Sequence, residues 1–220
     1  VLLLEAEAQP GYHATGRSAA FWTQSYGGPK VQPLTEASGP FQRAGGYLGE
    51  RGALTIARRG AEAELMAFAD EFEGLGVRVQ RLDRAGVEAR LPGLREDWSV
   101  GALEPDCSDI DVARLHQDYL AAARGHGVEL WTSARLSLAE PRPDGWLLSM
   151  GDGRTASAGL LVNAAGAWAD TVAGIAGIGP IGITPLRRTI AQVRTRSAVP
   201  ADLPLVLDLD EKFYFKPEAG

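Results

Sequence analysis

The chain has 220 residues, with 22 Lys and Arg against 28 Asp and Glu, a formal net charge of −6, three His, one Cys and 45% hydrophobic residues. That composition can bury one or two cores and excludes collagen-like, disordered and coiled-coil classes, and with no basic run longer than a pair it argues against a nucleic-acid partner. No apolar stretch approaches the ~20 residues of a spanning helix, no signal-peptide pattern opens the chain, and the lone Cys107 cannot form an internal disulfide, so the expectation is a cytoplasmic location without membrane insertion.

The opening run Val1-Leu2-Leu3-Leu4 reads as a strand buried on both faces of a parallel sheet, ending in Glu5. The chain starts without Met inside this strand and stops in the turn Lys216-Pro217-Glu218-Ala219-Gly220. Both ends therefore read as truncated, and the sequence as an internal piece of a larger protein. Thr15-Gly16-Arg17-Ser18-Ala19-Ala20 has two readings. One is a helix start capped by Ser18 with Arg17 in solvent; the other is a bend whose amides and Ser hydroxyl hold a diphosphate.

Leu65, Phe68, Ala69, Phe72 and Leu75 at helical spacing predict an amphipathic helix over 61–74. Asp111 caps a second helix with the apolar face Val112, Leu115, Tyr119 and Ala122, ending near Gly125 and Gly127. Val128-Glu129-Leu130-Trp131 follows as a strand, and Trp146 to Met150 with the Gly151-Asp152-Gly153 turn as a hairpin region. Gly159 to Asn163 reads as a buried strand running into Ala164-Ala165-Gly166 and a helix over about 168–176. From Pro185 the alternation of Arg188, Ile190 and Val193 predicts strand, with further strands at Val206 to Leu209 and Phe213 to Phe215. The mixture is α/β with an antiparallel part.

Three segments point to chemistry. A carboxylate at the end of a buried strand, as at Glu5, can accept hydrogen bonds from both hydroxyls of a ribose, although a strand ending in Glu is also simply leaving the core. The Thr15 to Ala20 bend is the second segment. Asn163-Ala164-Ala165-Gly166-Ala167-Trp168 is the third, where small residues admit either a flat ligand or a closely packed helix. Gly177-Ile178-Gly179-Pro180-Ile181-Gly182 satisfies G-x-G-x-x-G, but it follows a helix and Pro180 removes an amide, so it reads as an interdomain loop. No metal site is expected: His13, His116 and His126 lack i,i+4 pairing, and Asp106 to Asp111 lacks the Gly and terminal Glu of a calcium loop. A G-x-S-x-G elbow is absent too.

The order and spacing of these segments resemble the FAD-dependent D-amino acid oxidase superfamily. Glu5 to Ala20 with Gln9-Pro10-Gly11-Tyr12-His13, Asp109-Ile110-Asp111 and Phe213-Tyr214-Phe215-Lys216-Pro217 look most like the D-arginine dehydrogenase-like D-amino acid dehydrogenases, and the likeness runs along essentially the whole chain. The resemblance implies a Rossmann-like FAD-binding domain, roughly 1–50 and 105–180, interrupted by an α+β substrate domain with a mostly antiparallel sheet, roughly 51–104 and 181–220. It also implies segments before Val1 and after Gly220. FAD is then expected at Glu5 and Ala6 (ribose), at Thr15, Gly16, Arg17, Ser18, Ala19 and Ala20 (diphosphate and flavin), at the backbone near Arg135 on the strand after Val128 (adenine), and at Ala165 and Gly166.

On the substrate side, Arg188 matches the position that clamps the substrate carboxylate, with Arg187 beside it able to exchange roles. Tyr214 matches a tyrosine bonding that carboxylate, and Tyr26 one covering the pocket. Phe21 and Ala53 replace a His and a Glu of the arginine-active relatives, which points to a smaller or less basic amino acid unless Glu50 supplies the acid. The implied reaction oxidises a D-amino acid C–N bond by hydride transfer to flavin N5, giving an imino acid. Alternatives are the same superfamily acting on a secondary amine or 2-hydroxy acid, and a cofactor-free, non-catalytic fragment.

Overall fold

The computed structural model describes residues 1–217; the end of the expected closing turn lies outside the described residues. In chain order the strands are β1 (Leu2–Leu4), β2 (Phe21–Trp22), β3 (Leu48–Glu50), β4 (Ala53–Arg58), β5 (Gln80–Leu82), β6 (Trp98–Glu104) and β7 (Ser108–Ile110). They continue with β8 (Glu129–Trp131), β9 (Leu136–Arg142), β10 (Gly145–Met150), β11 (Thr155–Ala158), β12 (Leu205–Asp208) and β13 (Tyr214–Phe215). The helices are α1 (Gln32–Ala44), α2 (Glu62–Gly74), α3 (Arg84–Arg90), α4 (Val112–Gly125) and α5 (Ala169–Ile175). This is a mixed α/β fold.

The chain forms two compact units, Val1–Ser18 with Leu115–Ala191, and Ala19–Arg114 with the stretch from Gln192 onward. They divide after 18, 114 and 191, whereas the resemblance implies boundaries near 50, 104 and 180. Residues 19–50 stay with the second unit because β2 and β3 both pair antiparallel with β7.

In the first unit β1 pairs in parallel with β8, Leu2 opposite Glu129 and Leu4 opposite Trp131. The strand is not buried on both faces as expected, since Leu3 is 42% exposed. Strands β9, β10 and β11 form an antiparallel sheet in the order β11-β10-β9. Its core of Ala139, Leu148 and Met150 is shared with Ala134 and Ala176 and is flanked by Leu4, Trp131 and Ile175. Asp111 lies outside this unit but caps α4 as expected, its Oδ1 accepting from Arg114 N at 3.0 Å. The helix is rotated from the predicted face: Val112, Leu115, His116, Leu120 and Ala123 are half-buried, whereas Tyr119 and Ala122 are exposed.

Two expected strands do not form. Residues 160–165 and 185–194 carry no regular structure, and Leu160, Val162, Leu186 and Val193 are each more than 70% exposed. Apolar alternation records a preference for strand; a strand also needs a partner to take its amides and carbonyls, and among the described residues no strand pairs with either segment.

The second unit is built on a five-stranded sheet in the order β13-β12-β4-β6-β5, with β12 and β4 parallel and the other pairs antiparallel. Residues 53–57 of β4 are all buried because both faces are covered. Leu54 and Ile56 pack with Val87 of α3 and Trp98, while Ala57 packs with Leu65 of α2 and Ala102. Leu65, Ala69 and Phe72 recur at four- and three-residue spacing, which is why 62–74 is a helix with one buried side, and each such burial contributes roughly 1.5–3 kcal/mol for the larger side chains. Gly101 admits α3, since a Cβ there would lie 2.8 Å from Val87 and 3.0 Å from Leu54.

Candidate cofactor and substrate sites

In the first unit the parallel pairing of β1 with β8 carries Glu5 to a strand end, where Glu5 N bonds Trp131 O and Ala134 N bonds Glu5 O. The Glu5 carboxylate accepts from Glu7 N at 2.8 Å. Ala6 lies between these two acids, half-buried. Glu7, which the sequence reading passed over, accepts from Arg135 Nη2 at 3.3 Å and meets His13 Nε2 at 3.1 Å. The His13 ring in turn lies 4.6 Å from that of Trp168. A chain of contacts thus runs from the strand end through His13 to the third segment. Arg135 is not on the strand after Val128: that strand ends at Trp131, and Arg135 sits in the connection before β9 with an exposed side chain.

The Thr15 to Ala20 segment does not begin a helix. Thr15–Arg17 is a single 3-10 turn that ends at Ser18, whose backbone is extended (φ −79, ψ 142). Gly16 N donates to Gly11 O at 2.7 Å and a Cβ at Gly16 would lie 2.6 Å from that oxygen, so this glycine is required by the loop's closure on itself. Ser18 N bonds Thr15 O, and the Arg17 guanidinium lies 4.7 Å over the Tyr12 ring. Ser18 is the last residue of its unit; Ala19 and Ala20 belong to the next, where Ala20 (φ 23) accepts from Ile110 N.

Asn163 shapes the third segment. Its Oδ1 accepts from Ala165 N at 3.2 Å and its Nδ2 donates to Ala169 O at 2.8 Å, wrapping the bend before α5. An Asn two residues before the bonded amide is the sequence sign of such a turn. Gly166 adopts φ +54 with nothing within 4 Å of where its Cβ would be, an open backbone surface beside half-buried Ala165. The G-x-G-x-x-G run after α5 is wrapped around a side chain of its own unit: Asp170 accepts from the amides of Ile181, Gly182 and Ile183 at 2.9–3.1 Å. A strand-end carboxylate, the Thr15 and Ser18 hydroxyls and an open Gly166 backbone are a donor and acceptor set that fits the ribose, diphosphate and flat ring of FAD.

In the second unit Tyr26 and Tyr214 flank Phe21, edge-on at centroid separations of 5.5 and 5.9 Å. Behind them Ala53 is 1% exposed, clustered with Cys107 and Leu205 against Phe21 and Tyr214. Asp109, opposite Phe21 in the β2–β7 ladder, is bonded by Arg51 Nε and Lys216 Nζ, both at 2.8 Å. Glu50 is exposed on a cleft with Arg43, Arg51, Arg78 and Arg90 whose walls include none of the three aromatic rings. Arg188 and Arg187 are exposed in the irregular stretch after α5 and belong to the first unit.

The sequence also overlooked Glu104, 3% exposed at the end of β6. Four donors surround it: Thr23 Oγ1 (2.6 Å) and Ser25 N (3.1 Å) and Oγ (2.6 Å) at Oε2, and Gln24 N (2.8 Å) at Oε1. Burial pushes the neighbouring Cys107 thiol up to about 12, the Glu104 charge adding to it. Among the described residues no cluster of three or more His, Cys, Asp and Glu could hold a metal ion, and no helix is long and apolar enough to cross a membrane.

Comparison with known proteins gives the fold and the family. Glycine oxidase from Geobacillus kaustophilus superposes with a TM-score of 0.70 at 22% identity, over 80% of this chain and 51% of that one. NikD, an unusual amino acid oxidase essential for nikkomycin biosynthesis, gives 0.59 at 26% over 72% and 43%. L-alpha-glycerophosphate oxidase from Mycoplasma pneumoniae, with FAD bound, gives 0.70 at 15% over 80% and 50%. The chain thus spans about half the length of these solved proteins. Residues 1–220 match the FAD dependent oxidoreductase (DAO) family throughout, and the chain belongs to that family, whose cofactor is FAD.

Proposed function

We propose that this chain supplies the adenosine-binding strand end and part of the substrate pocket of an enzyme that oxidises the C–N bond of a neutral D-amino acid. The observation that carries the reading is the gathering of Glu5, the Tyr12 to Ser18 loop and the Asn163 to Trp168 bend into one unit through Glu7, His13 and Trp168. In this reading Glu5 and Ala6 meet the ribose, Thr15 to Ala20 the diphosphate and flavin, the backbone near Arg135 the adenine, and Ala165 and Gly166 the flat ring system. FAD, when bound, supplies the acceptor for the hydride lost from the substrate α-carbon. The protein's part is to hold the substrate: Arg188 pairs with its carboxylate, Tyr214 bonds the same group, and Tyr26 covers the pocket. The likeness to an amino acid oxidase at 26% identity supports an amino acid substrate.

The neutral side chain follows from the wall around Phe21. Ala53 is buried behind the ring, Asp109 is already paired with two cations, and Glu50 faces an arginine-lined cleft. A guanidinium or ammonium desolvated there without a carboxylate is costly. The test is a panel of D- and L-amino acids, secondary amines and 2-hydroxy acids mixed without oxygen with the FAD-loaded protein, read by loss of the flavin's visible absorbance. Bleaching is expected to be fastest with small or apolar D-amino acids and slow with D-arginine. Bleaching by amines or hydroxy acids alone assigns the substrate to those classes, and none with any compound removes the reading.

A further inference from the structure

We propose that Glu104 is a positioning residue for Tyr26, a buried carboxylate that fixes the Thr23-Gln24-Ser25 turn and through it the tyrosine that covers the substrate. The inference rests on the substrate-side role of Tyr26 proposed above.

A carboxylate at 3% exposure is costly to bury unless its oxygens are satisfied, and here all the neutralisation comes from donors on three consecutive residues. Two are backbone amides, so what Glu104 holds is the path of the main chain. Ser25 bonds the same oxygen with both its amide and its hydroxyl, and Tyr26 is the next residue. After Tyr26 the chain turns through Gly27 and Gly28 at φ +86 and +82, and Gly28 O accepts from Val31 N at 3.0 Å and Gln32 N at 3.3 Å, so the tyrosine stands between the Glu104 clamp and the start of α1. The ring beside Phe21 is thus carried directly on the C-terminal end of the clamped turn. Gln32 Nε2, bonding Gln24 Oε1 at 2.9 Å, braces the same turn.

The amide geometry makes Glu104→Gln informative. Each carboxylate oxygen faces a backbone N–H, Gln24 at Oε1 and Ser25 at Oε2, so whichever way a glutamine side chain is turned, its NH2 group meets a main-chain donor that cannot rotate away. Hydroxyls can reorient; these amides cannot. Glu104→Asp keeps the acceptors on a shorter stem, and Ser25→Ala removes one hydroxyl donor without adding a clash.

The experiment uses the FAD-loaded protein. Hydrogen exchange of the peptide covering residues 22–28 is measured for wild type, Glu104→Gln, Glu104→Asp and Ser25→Ala, together with kcat and KM for the best substrate of the panel, and again in a Tyr26→Phe background. Glu104→Gln should raise exchange in that peptide and raise KM about tenfold, the effect expected of one unsatisfied buried amide, with kcat changed less than about threefold and flavin content unchanged. Glu104→Asp and Ser25→Ala should lie between it and wild type. In the Tyr26→Phe background the KM effect of Glu104→Gln should shrink to less than about twofold, because the interaction it acts through is already gone. Unchanged exchange, or a KM effect of equal size in both backgrounds, overturns the proposal. Should Glu104→Gln fail to fold, Ser25→Ala and Glu104→Asp decide by the same two criteria. If no amine substrate bleaches the flavin, the substrate reading fails while the exchange measurement still judges the clamp.

Discussion

His13 lies with its ring 4.6 Å from that of Trp168, tilted by 51°, and it is the side chain that ties the strand-end acids to the third small-residue segment. His13→Ala removes this ring contact and the Glu7 hydrogen bond together. At roughly 0.5–1.5 kcal/mol for each, the loss should weaken FAD binding about tenfold. Titration of the apoprotein with FAD checks this, and an unchanged dissociation constant separates the two segments functionally.

Arg188 and Arg187 are adjacent and both exposed, and the proposed carboxylate pairing assigns them different roles. Arg188→Ala should weaken apparent substrate affinity by about 2–5 kcal/mol with flavin content unchanged, the range for removing one partner of a charge pair that the bound substrate desolvates. Arg187→Ala should cost under about 1 kcal/mol, as exposed charges generally do. Steady-state kinetics on both variants tests the pair, and the reverse ranking moves the carboxylate clamp to Arg187.

Legibility in the sequence tracked locality. The helix at 62–74, the Asp111 cap, the 145–158 hairpin and the β12 and β13 strands were readable because spacing, a capping side chain or a turn fixes each within a few residues. The strands expected at 159–163 and from 185 did not form, because a strand depends on a partner that no local pattern encodes. For the proposed site, Glu5, Tyr26 and Tyr214 rest on motif likeness. His13, Glu7, Glu104 and Asp170 were not, since their partners lie at 168, 135, 23–25 and 181–183, and an isolated acid or His looks like solvated surface. The Ser18 reading failed because the closure of Gly16 onto Gly11 O turns the chain one residue too early for a helix to start there.

Cys107 is the chain's one cysteine and is fully buried, so its labelling reports unfolding alone. Burial and the nearby Glu104 charge raise its thiol from the ordinary 9.0 to about 12. Below about pH 9 both folded and unfolded thiols keep their proton and stability is unaffected. Between about 9 and about 12 the unfolded thiol ionises while the folded one does not, so the unfolded state holds fewer protons and stability falls as pH rises, by up to about 1.4 kcal/mol per pH unit. Denaturant titrations of wild type and Cys107→Ala from pH 8 to 11 should therefore converge in stability as pH rises. At pH 8 a thiol reagent should modify the folded protein only at its unfolding rate; rapid labelling in native buffer contradicts the burial of Cys107.

Asp170 gives a way to ask whether the irregular stretch before Arg188 matters to the site. Its carboxylate accepts from three consecutive amides, Ile181, Gly182 and Ile183, and Arg188 lies five residues beyond the last. Without those bonds the segment regains backbone freedom worth about 1–2 kcal/mol per residue, and a guanidinium that must first be ordered binds a carboxylate less tightly. Asp170→Ala should therefore raise exchange at 181–183 and raise substrate KM several-fold, with kcat and flavin content held. Asp170→Asn, which keeps one acceptor oxygen, should fall between. An Asp170→Ala protein with faster exchange and unaltered KM shows that the loop's anchoring is decoupled from substrate. The same variant made in an Arg188→Ala background should add little, because a loosened tether has no consequence once the guanidinium it carries is gone.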